Sequence, residues 1–205
     1  MRTVSVARVG AVVAGMTIAV AALAQSPAPR PTIIAGDEWT FRQTGTEAGR
    51  NVERRWSLRI AERLPDDLIT VERGNGAIEF YDDSWNRRDP QVPDYRPLDL
   101  RFPLEVGEAW DWSFDRGQST QRGAQKVVAR ESIAVPAGNF ECYRLEGHFS
   151  SNSRFRSETR TMTRWYCPAL NYWGKIRQEI VTWDAFSPGS RSVLDSELVR
   201  FSRRD

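Results

Sequence analysis

The feature that most constrains the fold is an alternation of residue types with a period of two. It is strictest between Arg154 and Cys167, where one set of alternate positions is aromatic or threonine and the other is charged. The first set comprises Phe155, Thr159, Thr161, Thr163 and Trp165, and the second comprises Arg154, Arg156, Glu158, Arg160 and Arg164. Such alternation is typical of antiparallel strands with one buried face and one face in water. We therefore expect the arginine face to be wet.

Shorter runs with the same period occur along most of the chain. Apolar or aromatic residues alternate with polar ones around Trp39, between Arg54 and Leu64, and around Trp110. Residues that favour turns separate the runs. These turn signals are Pro65-Asp66-Asp67, Gly74-Asn75-Gly76, Pro136-Ala137-Gly138, Ser151-Asn152-Ser153 and Ser187-Pro188-Gly189. Only the segment from Ser192 to Phe201 also fits a helical stripe, and we favour a closing strand there.

The runs predict an all-β protein of roughly nine to ten antiparallel strands. A longer connection, containing three prolines, is expected from Asp89 to Asp99. Many strands at hairpin spacing are typical of a sandwich, a barrel or a strongly curved sheet. We predict a curved sheet or an incomplete barrel.

Two short matches suggest an internal two-fold repeat, with halves at residues 33–100 and 101–205. Gly36-Asp37-Glu38-Trp39 resembles Gly107-Glu108-Ala109-Trp110, and a turn proline follows each glycine at the same interval, Pro65 in one half and Pro136 in the other. The alternative is that matches this short arise by chance.

The first 24 residues predict a Sec-type signal peptide. Arg2 and Arg8 supply positive charge, the run from Val9 to Leu23 is almost entirely small or apolar, and Ala22-Leu23-Ala24 fits the cleavage pattern. A retained membrane anchor is the alternative, but the run is short for a span. Because no cysteine follows the run, we expect a periplasmic or secreted protein that is not a lipoprotein.

The mature chain is expected to begin with a proline-rich lead-in at residues 25–32, extended and exposed, followed by one domain at residues 33–205. Without its first 24 residues, which hold two arginines and no acidic residue, the chain has 27 basic and 27 acidic residues. Nucleic-acid-binding proteins usually carry a concentrated basic face, so this balance argues against that class.

The two cysteines, Cys142 and Cys167, are expected to form a disulfide between neighbouring strands, as is common in exported proteins. They cannot build a cysteine zinc site, and the chain has one histidine, His148. Neither a metal nor a cofactor is predicted, since no phosphate loop, nucleotide fingerprint or calcium loop occurs.

The sequence does not predict an enzyme. A serine nucleophile would need His148, and no Gly-x-Ser-x-Gly elbow is present. Three pairs of carboxylates are acid–base candidates, but the first two pairs lie in or beside turns, where aspartate commonly bonds to its own backbone. These pairs are Asp66-Asp67, Asp82-Asp83 and Glu108 with Asp111.

Eight tryptophans are many for this length. Alternation assigns five of them, Trp39, Trp56, Trp110, Trp112 and Trp165, to the core. The other three, Trp85, Trp173 and Trp183, have polar neighbours and are candidate ligand-binding residues, because exposed indoles stack on sugar rings or contact acyl chains. Core packing or plain surface exposure is the alternative for each.

Three stretches carry a family resemblance. They are Phe102-Pro103-Leu104-Glu105-Val106-Gly107-Glu108-Ala109-Trp110, then Val135-Pro136-Ala137-Gly138-Asn139-Phe140-Glu141-Cys142, then Trp165-Tyr166-Cys167-Pro168 with Gly174-Lys175-Ile176. The series resembles a loose group of exported bacterial β-rich domains of unknown function, with Ile176 where valine is usual. Some of these domains resemble the half-open barrels of lipoprotein-carrier proteins.

That resemblance implies an envelope protein that binds an apolar or amphipathic ligand, such as a lipid, inside the concavity of the sheet. The alternative is a structural or interaction module that contacts a partner protein or a cell-wall glycan through exposed aromatic residues. Nucleic acid is not expected as a partner, nor is a transmembrane segment in the mature chain.

Overall fold

The computed structural model of the chain describes residues 26–65 and 67–203. The predicted signal peptide lies outside these residues, as do Gln25 of the lead-in and Asp66 of the first turn signal. Within the described part, no helix has the length and apolar character that a membrane crossing requires.

The described residues form one antiparallel sheet of eleven strands, which does not close into a barrel. The strands are β1 (Glu38–Glu47), β2 (Arg50–Arg63), β3 (Leu68–Arg73), β4 (Ile78–Asp82), β5 (Arg87–Arg88), β6 (Ala109–Arg116), β7 (Ser119–Val135), β8 (Gly138–Ser153), β9 (Arg156–Cys167), β10 (Tyr172–Asp184) and β11 (Ser187–Ser202). A single 3-10 turn, Pro168–Leu170, interrupts them in this part of the chain. The all-β, curved-sheet prediction is confirmed.

The strand order is β5-β4-β3-β2-β1-β11-β10-β9-β8-β7-β6. The last strand therefore lies beside the first, with Trp39 opposite Phe201, and this pairing joins the two halves of the chain. The segment from Ser192 to Phe201 is a strand, as favoured. Two turns fall slightly away from their sequence signals, at Arg154-Phe155 and at Ala185-Phe186, because the serines lie within the ends of β8 and β11.

An aromatic core fills one end of the concave face. Trp39 is fully buried there, with its ring centroid 5.4 Å from that of Phe201, 5.6 Å from that of Trp85 and 5.2 Å from that of Tyr172. Its indole N–H donates a 3.0 Å hydrogen bond to the Leu170 carbonyl, so the polar edge of the ring is satisfied inside the core.

The predicted disulfide joins Cys142 on β8 to Cys167 on β9, one position beyond the register pair Tyr143–Tyr166. Both cysteines are fully buried at the aromatic end of the sheet. Gly174 leaves space for the bridge, since a Cβ there would lie 2.7 Å from the Cys167 Sγ. The disulfide is therefore part of the packed core at the aromatic end of the sheet.

The expectation for β9 is wrong: its charged face points inward. Met162, Arg164 and Tyr166 are buried, whereas Thr159 and Thr161 are exposed. Alternation shows that a strand has two different faces, but it does not show which face lies on the concave, buried side of the sheet. Long arginine stems pack on apolar neighbours while their charged ends find partners, which makes this interior position tolerable.

The proline-rich lead-in is also less exposed than expected. Ala28 and Pro31 are buried, and Ala28 exchanges backbone hydrogen bonds of 2.9 and 3.0 Å with Leu104. Ser26 accepts a 2.7 Å hydrogen bond from the Tyr143 hydroxyl. The prolines leave Ala28 able to pair with Leu104, and bonds at Ser26 and at Thr32, whose carbonyl accepts from Asn171, attach the two ends of the segment.

The two glycines of the suggested repeat occupy similar positions. Gly36 and Gly107 both have a positive φ and directly precede strands β1 and β6. Gly36 donates its backbone N–H to the Ile60 carbonyl of β2 at 2.8 Å, and Gly107 donates to the Val127 carbonyl of β7 at 2.9 Å. The local geometry at the two glycines is thus alike.

Candidate functional site

The concave face holds a cavity of about 510 Å³ at the end away from the aromatic core, and we call it the arginine cavity. It lies between strands β6–β9 and the connection that follows β5. The lining residues are Arg87, Tyr95, Pro97, Asp99, Trp112, Ser119, Gln121, Gly123, Gln125, Phe149, Ser151, Ser153, Arg156, Glu158, Arg160, Met162 and Arg164.

A second space of about 370 Å³, the inner chamber, adjoins the arginine cavity on the side of the aromatic core. The two share Arg87, Asp99, Arg160, Met162 and Arg164 in their walls. Tryptophans 56, 85 and 173 line the inner chamber. The concavity is therefore filled by aromatic residues at one end and open at the other.

Register explains how the cavity wall is assembled. Arg160 on β9 lies opposite Phe149 on β8, which lies opposite Gly123 on β7, which in turn lies opposite Trp112 on β6. Residues opposite one another in a sheet point to the same face. One row across four strands thus carries a cation, two aromatic rings and a glycine into the same space.

Two glycines give this wall its shape. A Cβ at Gly123 would lie 2.3 Å from the Trp112 Nε1, and a Cβ at Gly147 would lie 2.1 Å from the Gln125 Oε1. The Trp112 and Gln125 side chains therefore lie flat across their neighbouring strands. Glycine within a strand often marks such a close approach, and this was the sequence signal that could have indicated the site.

Glu158 sits between two arginines at the cavity wall. Arg160 donates a 2.6 Å hydrogen bond from Nη2 to the Glu158 Oε1, and the Arg156 Nη2 lies 3.7 Å from the Glu158 Oε2. The Arg160 guanidinium also lies 5.7 Å from the centroid of the Phe149 ring. One carboxylate thus faces two guanidinium groups.

Arg164 lies between the arginine cavity and the inner chamber and lines both. Its Nη1 and Nη2 each donate a 3.3 Å hydrogen bond to the Asp99 Oδ1, and its guanidinium carbon lies 4.5 Å from the centroid of the Trp173 ring. The residue is only 8% exposed. A buried guanidinium needs such partners, because an unpaired charge in the interior is strongly destabilising.

Four buried polar atoms of the arginine cavity have no hydrogen-bond partner among the described residues. They are the Trp112 Nε1, the Gln125 Oε1, the Arg160 Nε and the Arg164 Nε. Buried polar groups in folded proteins are nearly always satisfied by protein, water or ligand. Three donors and one acceptor are therefore unsatisfied just behind the wall of this cavity.

The inner chamber contains a compact polar cluster. Arg73 donates a 2.6 Å hydrogen bond from Nε to the Glu79 Oε2, and the Tyr81 hydroxyl donates to the same oxygen at 2.9 Å. Burial above all raises the pKa of Tyr81 and that of nearby Tyr172. Both phenols therefore stay protonated at neutral pH, and the cluster is satisfied internally.

The three tryptophans proposed from the sequence as ligand-binding residues separate in the structure. Trp85 and Trp173 are only 3% and 5% exposed, so the expectation that they lie on the surface is wrong. Trp85 donates a 2.7 Å hydrogen bond to the Asn171 carbonyl and packs on Trp39, so its polar turn folds onto the core. Trp183 is 54% exposed on β10.

Among the described residues, the candidate catalytic side chains lie apart from the cavity. His148 is exposed and lines neither the arginine cavity nor the inner chamber. Asp82 accepts hydrogen bonds from the backbone N–H groups of Ser84 and Asn86, at 2.9 and 2.8 Å, as a turn-forming aspartate does. The described residues include no group of three or more histidine, cysteine or acidic side chains placed to hold a metal ion.

No family model and no curated protein matches this chain. Among solved structures, a candidate lipoprotein of Parabacteroides distasonis ATCC 8503 is similar at 15% identity, with 87% of this chain and 100% of that chain covered and a TM-score of 0.45. A candidate exported protein with a YmcC-like fold from Bacteroides fragilis NCTC 9343 is similar at 12% identity, with the same coverage and a TM-score of 0.43.

The hypothetical lipoprotein YmcC of Escherichia coli (K12) is also similar, at 10% identity. The match covers 81% of this chain and 86% of that chain, with a TM-score of 0.40. At such identities and scores these likenesses carry no argument about what this chain binds.

Proposed function

We propose that this protein is an exported, non-catalytic binding protein that holds an amphipathic small molecule in the arginine cavity. The observation that carries the proposal is the cavity itself, whose volume of about 510 Å³ is typical of small-molecule sites. Its wall also contains several polar side chains, among them Arg160, Gln125 and Ser151, as a site for a polar ligand group requires.

The distribution of side chains supports an amphipathic ligand. Strand β9 contributes charged groups, whereas Tyr95, Pro97, Trp112 and Phe149 contribute apolar surface from the connection, β6 and β8. Small-molecule sites commonly combine apolar and aromatic walls with a few placed polar groups. A ligand with one charged end and one apolar part could contact the charged groups and the apolar surface at the same time.

The hydrogen bonds made by the acidic groups of the cavity also favour a binding role over a catalytic one. The lining contains two carboxylates, Asp99 and Glu158, and each is bonded to an arginine. A general acid or base needs a group that is free to exchange a proton with the substrate. These two carboxylates instead hold guanidinium groups in place.

Native mass spectrometry of the mature protein, purified gently from the periplasm, tests the proposal. We expect a stoichiometric amphiphile that can be extracted and identified. The variant Ser151→Phe, which fills the cavity from β8, should lose it. Ser150→Phe is the matched control, because adjacent residues on a strand point to opposite faces. An apo mass, or an amphiphile retained equally by both variants, would overturn the proposal.

A second candidate function rests on exposed aromatic residues at one end of the sheet. Phe186 is 82% exposed and packs on Phe155 with ring centroids 5.5 Å apart, while Trp183 precedes the same turn. The Arg154 guanidinium lies 5.0 Å from the Phe155 ring centroid. We call Phe155, Trp183 and Phe186 the tip residues, and they suit contact with a partner protein or a cell-wall glycan.

Crosslinking in the intact cell envelope distinguishes this second candidate. A partner captured by the wild-type chain should be lost when Trp183 and Phe186 are both replaced by serine. Ile78→Ser is the matched control, since Ile78 is an exposed apolar residue on β4. Equal capture by all three proteins would argue against a role for the tip residues.

A further inference from the structure

The arginine cavity carries an excess of positive charge that the mature chain as a whole lacks. Four arginines line it, Arg87, Arg156, Arg160 and Arg164, against the two carboxylates Asp99 and Glu158. Cavities that concentrate one sign of charge within low-dielectric walls attract ligands of the opposite sign. The excess therefore favours an anionic ligand.

Of these arginines, Arg160 has donors left to offer. A guanidinium carries five N–H donors. The Nη2 of Arg160 bonds to Glu158, while its Nη1 makes no hydrogen bond among the described residues and its side chain is 35% exposed. Arg164, by contrast, uses both of its Nη atoms on Asp99. Arg160 can therefore donate to a further acceptor, such as a ligand oxygen. Arg164 instead stabilises the cavity wall through its bonds to Asp99.

Arg156 and Glu158 complete the arrangement. Arg156 is more exposed than Arg160 and lies on the far side of the Glu158 carboxylate. A carboxylate already held by two guanidinium groups shows that this wall accommodates an oxyanion. Planar guanidinium groups suit carboxylate, phosphate and sulfate oxygens because they can donate two parallel hydrogen bonds.

We infer that the ligand of the proposed function is an anionic amphiphile, whose oxyanion group binds Arg160 with additional attraction from Arg156. Its apolar part lies against Trp112, Phe149 and Tyr95 in the same cavity. The inference rests on the proposed function, which it deepens by naming the ligand class. A cationic ligand fits poorly, because both carboxylates of the cavity are already neutralised by arginines.

Four probes test the inference by isothermal titration calorimetry, with the three dodecyl probes kept below their micelle concentrations. They are dodecyl phosphate, dodecyl maltoside, dodecyltrimethylammonium and inorganic phosphate. We expect dodecyl phosphate to bind at least about tenfold more tightly than the other two dodecyl probes, the scale set by one charged hydrogen bond. Added salt should weaken only the dodecyl phosphate interaction substantially.

Three variants make the test specific. Arg160→Gln should weaken dodecyl phosphate binding about tenfold or more. Glu158→Gln should tighten it about two- to fivefold, because it removes a competing negative charge; a gain of affinity cannot result from misfolding. Arg191→Gln is the matched control, since Arg191 is an exposed arginine on β11 that bonds to Glu179 outside the cavity. It should leave binding unchanged.

The outcomes separate the two levels of the proposal. Equal binding of the three dodecyl probes, unaffected by Arg160→Gln, would overturn the anionic class and leave the binding function standing. No binding of any dodecyl probe, together with an apo native mass, would overturn the function itself. If inorganic phosphate competes as well as dodecyl phosphate does, the ligand is a free oxyanion and its apolar part is refuted.

Discussion

The guanidinium of Arg164 donates two hydrogen bonds of 3.3 Å to one carboxylate oxygen of Asp99, across 65 residues of sequence. Arg164 belongs to β9, and Asp99 belongs to the long connection between β5 and β6. The pair therefore holds that connection over the concave face, where Tyr95 and Pro97 of the same segment form part of the arginine cavity.

Asp99→Ala should lower the free energy of unfolding by about 1–3 kcal/mol, because it leaves a buried guanidinium without its acceptor. Urea unfolding measures the change. Asp195→Ala is the control, since Asp195 bonds to the exposed Arg177 and should cost less than about 1 kcal/mol. A double variant that also carries Arg164→Met should lose less than the two single changes combined. Equal losses for Asp99→Ala and Asp195→Ala would contradict this account.

The sequence predicted the strands better than the site. Alternation along β9 correctly indicated a strand with two unlike faces, but both faces were assigned to the wrong side. Which face of β9 points inward depends on how the sheet curves. The buried charge of Arg164 is stabilised by Asp99, which is distant in the sequence. Local periodicity contains neither piece of information.

Trp85 shows the same limit at a turn. Its neighbours are polar, and Asp82 and Asn86 form local hydrogen bonds of the kind expected in an exposed turn. The indole is nevertheless buried, because its acceptor is the carbonyl of Asn171, which lies 86 residues away. The disulfide, by contrast, was predictable, since the export expected from the sequence favours oxidised cysteines and two cysteines allow one pairing.

Replacing a buried and an exposed tryptophan should show which of the two stabilises the fold. Trp85→Ala should cost about 3–5 kcal/mol of unfolding free energy, as expected when a large core side chain is removed. Trp183→Ala should change it by less than about 0.5 kcal/mol. Thermal and urea unfolding of the two variants provide the comparison. Similar stabilities would show that Trp85 does not support the aromatic core.

Removing the disulfide with Cys142→Ala and Cys167→Ala should cost roughly 3 kcal/mol, because the bridge closes a loop with a sequence separation of 25. Wild-type protein unfolded in urea with a reductant should then match the double variant. Thiol titration gives an independent readout: the unfolded, unreduced wild type should show no free thiol. Two titrating thiols in the unreduced protein would refute the bridge.

Buried tyrosines should make the protein less stable at alkaline pH. Burial raises the pKa of Tyr166 and Tyr172 above the ordinary value of about 10. The unfolded chain therefore loses these protons first, so their contribution is complete below about pH 10 and declines as the pH rises towards the folded-state pKa. Urea unfolding at about pH 8 and about pH 11 should show the decline.

Tyr166→Phe should reduce that alkaline loss by up to about 1.4 kcal/mol per pH unit, since the variant has one buried phenol fewer. Its stability at about pH 8 serves as the internal reference. Identical alkaline slopes for the wild type and the Phe variants of both tyrosines would contradict the assignment.

The contact between Trp112 and Gly123 gives the last prediction. In an unobstructed strand, alanine in place of glycine would stabilise the fold by roughly 0.5–1 kcal/mol. Here the new Cβ would lie 2.3 Å from the indole nitrogen of Trp112, so the ring must move towards the arginine cavity. Gly123→Ala should therefore cost about 1–3 kcal/mol, as overpacking does, and weaken ligand binding.

A second background isolates the cause. When Trp112→Leu has removed the indole, Gly123→Ala should become neutral or stabilising, because the added methyl no longer meets a ring. Urea unfolding of the four proteins in this cycle measures the coupling between the two positions. If Gly123→Ala is equally harmful in both backgrounds, a contact other than that with Trp112 explains the glycine, and the indole does not depend on Gly123 for its place in the cavity wall.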